Sequence, residues 1–122
     1  PFWTLALSKP RGIFGNNFNA QENPEMYKAI SPIYNIPNID ERKLPPQFIT
    51  SASEDRVTPV HAIEEYVKAL KDAGQEVTYW EYKDQRHAYL DSGKTFLSGN
   101  DFKRDAIPAL KKIMNFLNSK LL

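Results

Sequence analysis

The feature that most constrains the fold is a pair of apolar runs separated by an amphipathic segment. Residues 46–52 (PQFITSA) predict a short buried strand, because the apolar residues are followed by small ones and do not alternate strictly with polar ones. Residues 76–82 (EVTYWEY) are β-branched and aromatic and predict a second strand. Residues 59–73 predict a helix between them. A strand–helix–strand unit of this size predicts two parallel strands joined by a right-handed crossover.

The ends of the predicted helices are marked by residue types that suit helix termini. For the helix 59–73, Thr58 is the predicted N-cap, Pro59 the first helical residue and Gly74 the C-terminal turn residue. The buried face of this helix is predicted to be Val60, Ile63, Val67 and Leu70.

Two further helices are predicted outside this unit. A short one begins after Asn23 with Pro24 at its first position and ends at Ser31, because a residue before proline avoids the helical region. The last helix is predicted over residues 106–119 with Asp105 as its cap. Its buried face is predicted to be Ala109, Ile113, Phe116 and Leu117.

Composition argues against several classes of function. The net charge of +1 over 122 residues provides no field for gathering nucleic acid, and no apolar run approaches the roughly 20 residues of a membrane span. The absence of cysteine excludes disulfides and zinc–thiolate sites. The stretch Ser92–Thr95 (SGKT) lacks the glycine that a phosphate-binding loop needs five residues earlier, where Ala88 stands. No cofactor or metal is predicted.

Polar residues follow both predicted strands at the same edge of the sheet. Glu54 and Asp55 follow the first strand, and His87 follows the second. Neighbouring strands lie about 5 Å apart, so an acid and the imidazole can come within hydrogen-bonding distance. A carboxylate that holds one imidazole nitrogen is part of a nucleophile–base–acid triad. From this pattern alone Asp55 is equally a triad acid or a structural acid, whereas His61, inside a helix, is interpreted as a surface or half-buried residue without a role in the site.

From Ser31 onward the chain resembles the C-terminal part of an α/β-hydrolase, most closely the hormone-sensitive-lipase-like esterases. The resemblance rests on SPI at 31–33, LPPQFITSASED at 44–55, VTP at 57–59, ALKDAGQEVTYWEY at 69–82 and RHAYL at 86–90. It implies an α/β fold with parallel strands and flanking helices, with residues 1–45 as a cap-like and connecting segment and residues 46–122 as the core. It also implies that Asp55 is the triad acid and His87 the base of a serine hydrolase acting on carboxylic esters with small or medium acyl groups. Ser53 or Ala52, before the acid, and Ala88, after the histidine, stand where many members have glycine.

The nucleophile of such a triad has no counterpart in this sequence. Neither a G-x-S-x-G turn nor a His-Gly-Gly element occurs, and the chain starts at Pro1. In the resembled family both elements precede the acid and the histidine. We therefore expect the serine to lie on an N-terminal half of the same hydrolase, and the present chain to be inactive alone.

Two other interpretations remain open at this stage. One is a serine peptidase of the prolyl-oligopeptidase type, which has a similar final strand–helix–strand unit. The other is a non-catalytic α/β-hydrolase-fold module that binds a partner. Aromatic and sulfur-containing side chains of the N-terminal segment could line an acyl pocket or pack against a missing half: Phe2, Trp3, Phe14, Phe18, Met26 and Tyr27.

Overall fold

The computed structural model describes residues 22–90 and 101–121. Within these ranges the elements, in chain order, are helix α1 (Pro24–Ile30), a 3-10 turn (Pro32–Tyr34), strand β1 (Gln47–Ala52), helix α2 (Val60–Asp72), strand β2 (Val77–Tyr82), a π-helical turn (Phe102–Ala106) and helix α3 (Ile107–Leu121). Each predicted strand and helix is present, with bounds within two residues of the prediction. No helix in the described ranges is long and apolar enough to cross a membrane.

The two strands pair in parallel, as the sequence predicts. The register runs from Gln47 opposite Val77 to Ala52 opposite Tyr82. Because side chains alternate across a strand, Phe48 and Trp80 lie on the same face of the sheet. That face packs against α3, where the Phe48 and Phe116 rings are 5.4 Å apart and Lys112 Nζ lies 4.8 Å from the Trp80 ring centre.

A small buried cluster closes this face next to the ends of the strands. Ala52, Tyr89 and Ala109 are its buried members, and Trp80 and Tyr82 pack against it. The Tyr89 hydroxyl donates to Thr50 Oγ1 at 2.9 Å, which satisfies the polar end of a buried ring. Burial raises the pKa of Tyr89, so the phenol is neutral and serves as a donor at physiological pH.

Gln75 fastens the connecting segment before β1 to the turn between α2 and β2. Its side chain is buried, donates to the carbonyls of Pro37 and Arg42, and accepts from the Leu44 N–H, each at 2.9 Å. Gly74, at φ +74°, ends α2 as predicted. A Cβ at Gly74 would lie 2.8 Å from Cγ2 of Ile39, so the close approach of this segment needs glycine.

Three of the local predictions are wrong. Helix α2 begins at Val60, so Pro59 occupies the N-cap position and is not the first helical residue, and Thr58 is not the N-cap. The chain enters α3 through a π-helical turn capped by Asp101, while Asp105 is buried. Leu117 is 45% exposed, since only one of two apolar stripes on α3 meets the sheet.

Candidate functional site

The candidate site lies where β1 and β2 end at the same edge of the sheet. Asp55 Oδ2 is 2.9 Å from Nδ1 of His87, across 32 residues of sequence. An ionised carboxylate can only accept, so the imidazole donates its Nδ1–H, and in the neutral ring Nε2 is then the nitrogen without a proton. The structure therefore brings together the two residues singled out in the sequence. Their catalytic role remains a prediction.

The Asp55 carboxylate is held by the backbone as well as by the imidazole. Its Oδ1 accepts from the N–H groups of Val57 at 2.7 Å and Thr58 at 2.8 Å. These bonds fix the carboxylate plane, so Oδ2 faces His87 without a free rotation. The Asp55 side chain is 10% exposed, and the His87 side chain is 35% exposed. The imidazole is thus reachable from solvent while its acid is sheltered.

Glu54, the sequence competitor for the acid role, points elsewhere. Its carboxylate lies 3.5 Å from Nε of Arg86, and both side chains are more than half exposed. An exposed pair of this kind contributes little to stability. His61 is exposed on α2, as predicted.

Ala88 has a left-handed backbone conformation, which favours glycine. Its φ is +60°, directly after His87, and Asp84 in the same turn has φ +57°. An alanine in the left-handed region costs about 1–2 kcal/mol.

Ser53 and Gln85 also belong to the site, although sequence reasoning did not select them. Ser53 Oγ accepts the Asp84 N–H at 2.8 Å, and the Gln85 carbonyl accepts the Glu54 N–H at 2.8 Å. A glycine at position 53 could not make the first bond. The available signal was that polar residues fill both turns, but the sequence alone does not say which of them pair.

Among residues 22–90 and 101–121, no group of three or more His, Asp or Glu could hold a metal ion. The predicted pocket residues Phe2, Trp3, Phe14 and Phe18, and the SGKT stretch, lie outside these ranges. Of the remaining two, Tyr27 is buried and Met26 is 42% exposed.

Comparison with known proteins identifies the family. A model of the prolyl oligopeptidase family matches residues 8–121. This chain belongs to the prolyl oligopeptidase family. No curated protein gives a match.

The fold is shared with a solved esterase from Thermogutta terrifontis, a planctomycete. Esterase 2 of this organism, phosphoramylated by tabun, matches with a TM-score of 0.53 and 21% identity over 73% of this chain and 31% of the esterase. Its paraoxon-phosphorylated and propionate-bound forms match with the same TM-score and identity, over 73% of this chain and 32% and 30% of theirs. The chain therefore spans about a third of the length of these esterases.

These matches confirm the predicted fold class, part of an α/β-hydrolase fold. The narrower resemblance to hormone-sensitive-lipase-like esterases is not confirmed. The family that matches is the one named in the peptidase alternative.

Proposed function

We propose that this chain supplies the acid and the base of a serine hydrolase. The observation that carries the proposal is the 2.9 Å bond between Asp55 and His87 at the ends of adjacent parallel strands. In a mechanism of this kind the His87 Nε2 takes the proton from a serine hydroxyl and later returns it to the leaving group. Asp55 holds the ring in the tautomer that permits this and stabilises the imidazolium that forms.

The serine that His87 would serve belongs, on this proposal, to an N-terminal segment of the same hydrolase. No serine of the printed sequence stands in a G-x-S-x-G turn. The donors that stabilise the oxyanion would come from that segment too, and each such donor contributes about 3–4 kcal/mol to the reaction. Alone, the chain would lack both, so we expect it to have no measurable turnover.

Peptide bonds are the first candidate substrate, on the basis of the family match. Carboxylic esters with small or medium acyl groups are the second, on the basis of the sequence resemblance and of a shared fold with a named esterase. The division into a cap-like segment, residues 1–45, and a core, residues 46–122, accompanies either candidate as part of the proposal. A binding module without catalysis is the less favoured function, because it gives no reason for a sheltered carboxylate bonded to an accessible imidazole.

The test is fluorophosphonate labelling of the purified protein together with any polypeptide that copurifies with it. Intact-mass spectrometry then shows which polypeptide carries the label. We expect a serine outside these 122 residues to take the label. The His87→Ala variant should lose labelling, and the His61→Ala variant, which removes an exposed histidine from α2, should retain it. Labelling that survives His87→Ala would contradict the proposal, as would a stoichiometric label on a serine of this chain.

The substrate class is then settled by comparing kcat/KM for a peptidyl-proline p-nitroanilide and for p-nitrophenyl butyrate. A peptidase should be at least as efficient on the anilide as on the ester, although the ester is the more reactive compound. An esterase should leave the anilide intact. Activity on neither compound, measured on unlabelled protein from a preparation shown to react with the fluorophosphonate, would refute both candidates.

A further inference from the structure

The turns that carry Asp55 and His87 are fastened to each other at several points. Beyond the last strand pair, the Ser53 N–H donates to the Tyr82 carbonyl at 2.9 Å. The Asp84 N–H donates to Ser53 Oγ, and the Glu54 N–H donates to the Gln85 carbonyl, both at 2.8 Å. These bonds continue the pairing of β1 and β2 beyond the sheet, up to the residues next to Asp55 and His87.

Gln85 connects this pair of turns to the entry of α3. Its backbone carbonyl holds the acid turn, and its side-chain Nε2 donates to Asp105 Oδ1 at 3.3 Å. Gln85 lies two residues before His87. A single residue thus links the acid turn, the histidine turn and the helix entry.

Asp105, which accepts a hydrogen bond from the Gln85 side chain, is itself buried and held by further hydrogen bonds. Its side chain is 1% exposed and receives three further hydrogen bonds: from Arg104 Nε and Nη2, both at 2.6 Å, and from the Asp101 N–H at 2.8 Å. A buried carboxylate needs such partners, because an unpaired buried charge is strongly destabilising. The two Arg104 bonds also lower the pKa of Asp105, with the Asp101 N–H and Gln85 bonds adding to the effect.

We propose that Gln85 and Asp105 are positioning residues for His87: the buried carboxylate fixes the Gln85 side chain, and Gln85 sets the distance between the His87 turn and Asp55. Neither residue touches the reacting atoms. The catalytic consequence rests on the proposed function, whereas the geometric claim concerns only the Asp55–His87 bond. A structural role for Asp105 alone, in starting α3, would leave that bond unchanged when Gln85 is altered.

The most specific variant is Gln85→Met, which keeps the length and approximate volume of the side chain and removes the Nε2 donor that binds Asp105. Gln47→Ala, at the opposite end of β1, is the control. Nitrogen-15 shifts of the imidazoles report which ring nitrogen carries the proton, and this chain has only two histidines. The exposed His61 serves as an internal reference for an unconstrained ring.

In the parent chain and in Gln47→Ala we expect His87 to be held as the Nδ1–H tautomer. In Gln85→Met the ratio of Nδ1–H to Nε2–H should fall about fivefold, the change expected for one net hydrogen bond, with His61 unchanged. Asp105→Asn should act in the same direction. If Asp105→Asn disrupts the first turn of α3, Gln85→Met alone tests the positioning role.

An unchanged tautomer ratio in Gln85→Met would overturn the positioning role and leave the proposed function untouched. The active hydrolase provides the separate test of function, where we expect kcat to fall in proportion to the fraction of His87 that remains in the Nδ1–H tautomer, with KM unchanged. A fall in the Nδ1–H fraction of His87 without a matching loss of kcat would support the positioning role and count against His87 as the base.

Discussion

Replacing Asp55 by asparagine tests the candidate site through a constraint that the structure itself imposes. The carboxylate uses both oxygens: Oδ1 accepts two backbone N–H groups, from Val57 and Thr58, and Oδ2 accepts from His87. An asparagine has one oxygen and one NH2 group. The two N–H donors need the oxygen, so the NH2 group must face His87.

The size of the effect follows from comparing the two amide orientations. The reverse orientation would leave two poorly exposed N–H donors unsatisfied, at about 1–3 kcal/mol each, so it is disfavoured by about 30-fold or more. In the favoured orientation Nδ1 of His87 has to accept, and the proton moves to Nε2. A ring in this tautomer cannot take a proton from serine. A loss of about ten-thousand-fold in kcat is the magnitude associated with this exchange in a triad.

The assay is kcat of the active hydrolase at saturating substrate, with the imidazole tautomer measured on the 122-residue chain. Glu54→Gln is the matched control, because it neutralises the neighbouring acid, which is 54% exposed and paired with Arg86. We expect the control to change kcat by about twofold or less, the small effect typical of an exposed pair. Both backbone bonds to position 55 survive in Asp55→Asn, so the free energy of unfolding should change by less than about 1 kcal/mol. A loss of kcat below tenfold, or a ring that keeps its Nδ1–H, would refute the reasoning.

Three other expectations concern stability. Gly74→Ala should lower the free energy of unfolding in urea by about 2 kcal/mol or more, because the backbone is left-handed, at φ +74°, and the new Cβ would overlap Ile39. An equal loss in an Ile39→Ala background would show that the overlap is unimportant. Ala88→Gly should raise the free energy of unfolding by up to about 1 kcal/mol, because relief of the φ +60° backbone exceeds the entropy cost of glycine. A lower melting temperature would contradict this. The hydrogen bonds from Arg104 lower the pKa of Asp105 in the folded state. The ionised carboxylate therefore stabilises the fold fully above its unfolded pKa of about 3.9, and this stabilisation is lost as the pH falls through the lower, folded pKa. Unfolding measured from pH 6 to pH 2 should show a shallower acid decline in Asp105→Asn than in the parent chain, and parallel declines would exclude this carboxylate as the cause.

The sequence was informative where local pattern and global topology agree. The two strands and their parallel pairing followed from apolar runs around an amphipathic helix. The meeting of Asp55 and His87 followed from the rule that parallel strands end at the same edge. Ala88 could be noticed as a departure, but its left-handed backbone could not be known without the turn around it.

The predictions that failed depend on which of several similar residues is buried. Asp101 and Asp105 are both suitable caps, and only the packing of the π-helical turn decides that Asp101 caps while Asp105 is enclosed beside Arg104. Gln85 gave no signal, because a glutamine in a polar turn is unremarkable until its partner is known. Leu117 has the helical spacing of a buried residue, yet the two-stranded sheet covers only one stripe of α3.

The register of the sheet has a consequence for how this chain tolerates sequence change. A slip of one residue between β1 and β2 would displace the acid turn by about 3.3 Å relative to the histidine turn. It would also turn Phe48 or Trp80 away from α3, because side chains alternate across a strand. The packing of those two rings therefore sets the separation of two groups that neither ring touches. On the proposed function, a variant at Phe48 that stays folded but shifts the register would therefore lose activity although Phe48 lies away from Asp55 and His87.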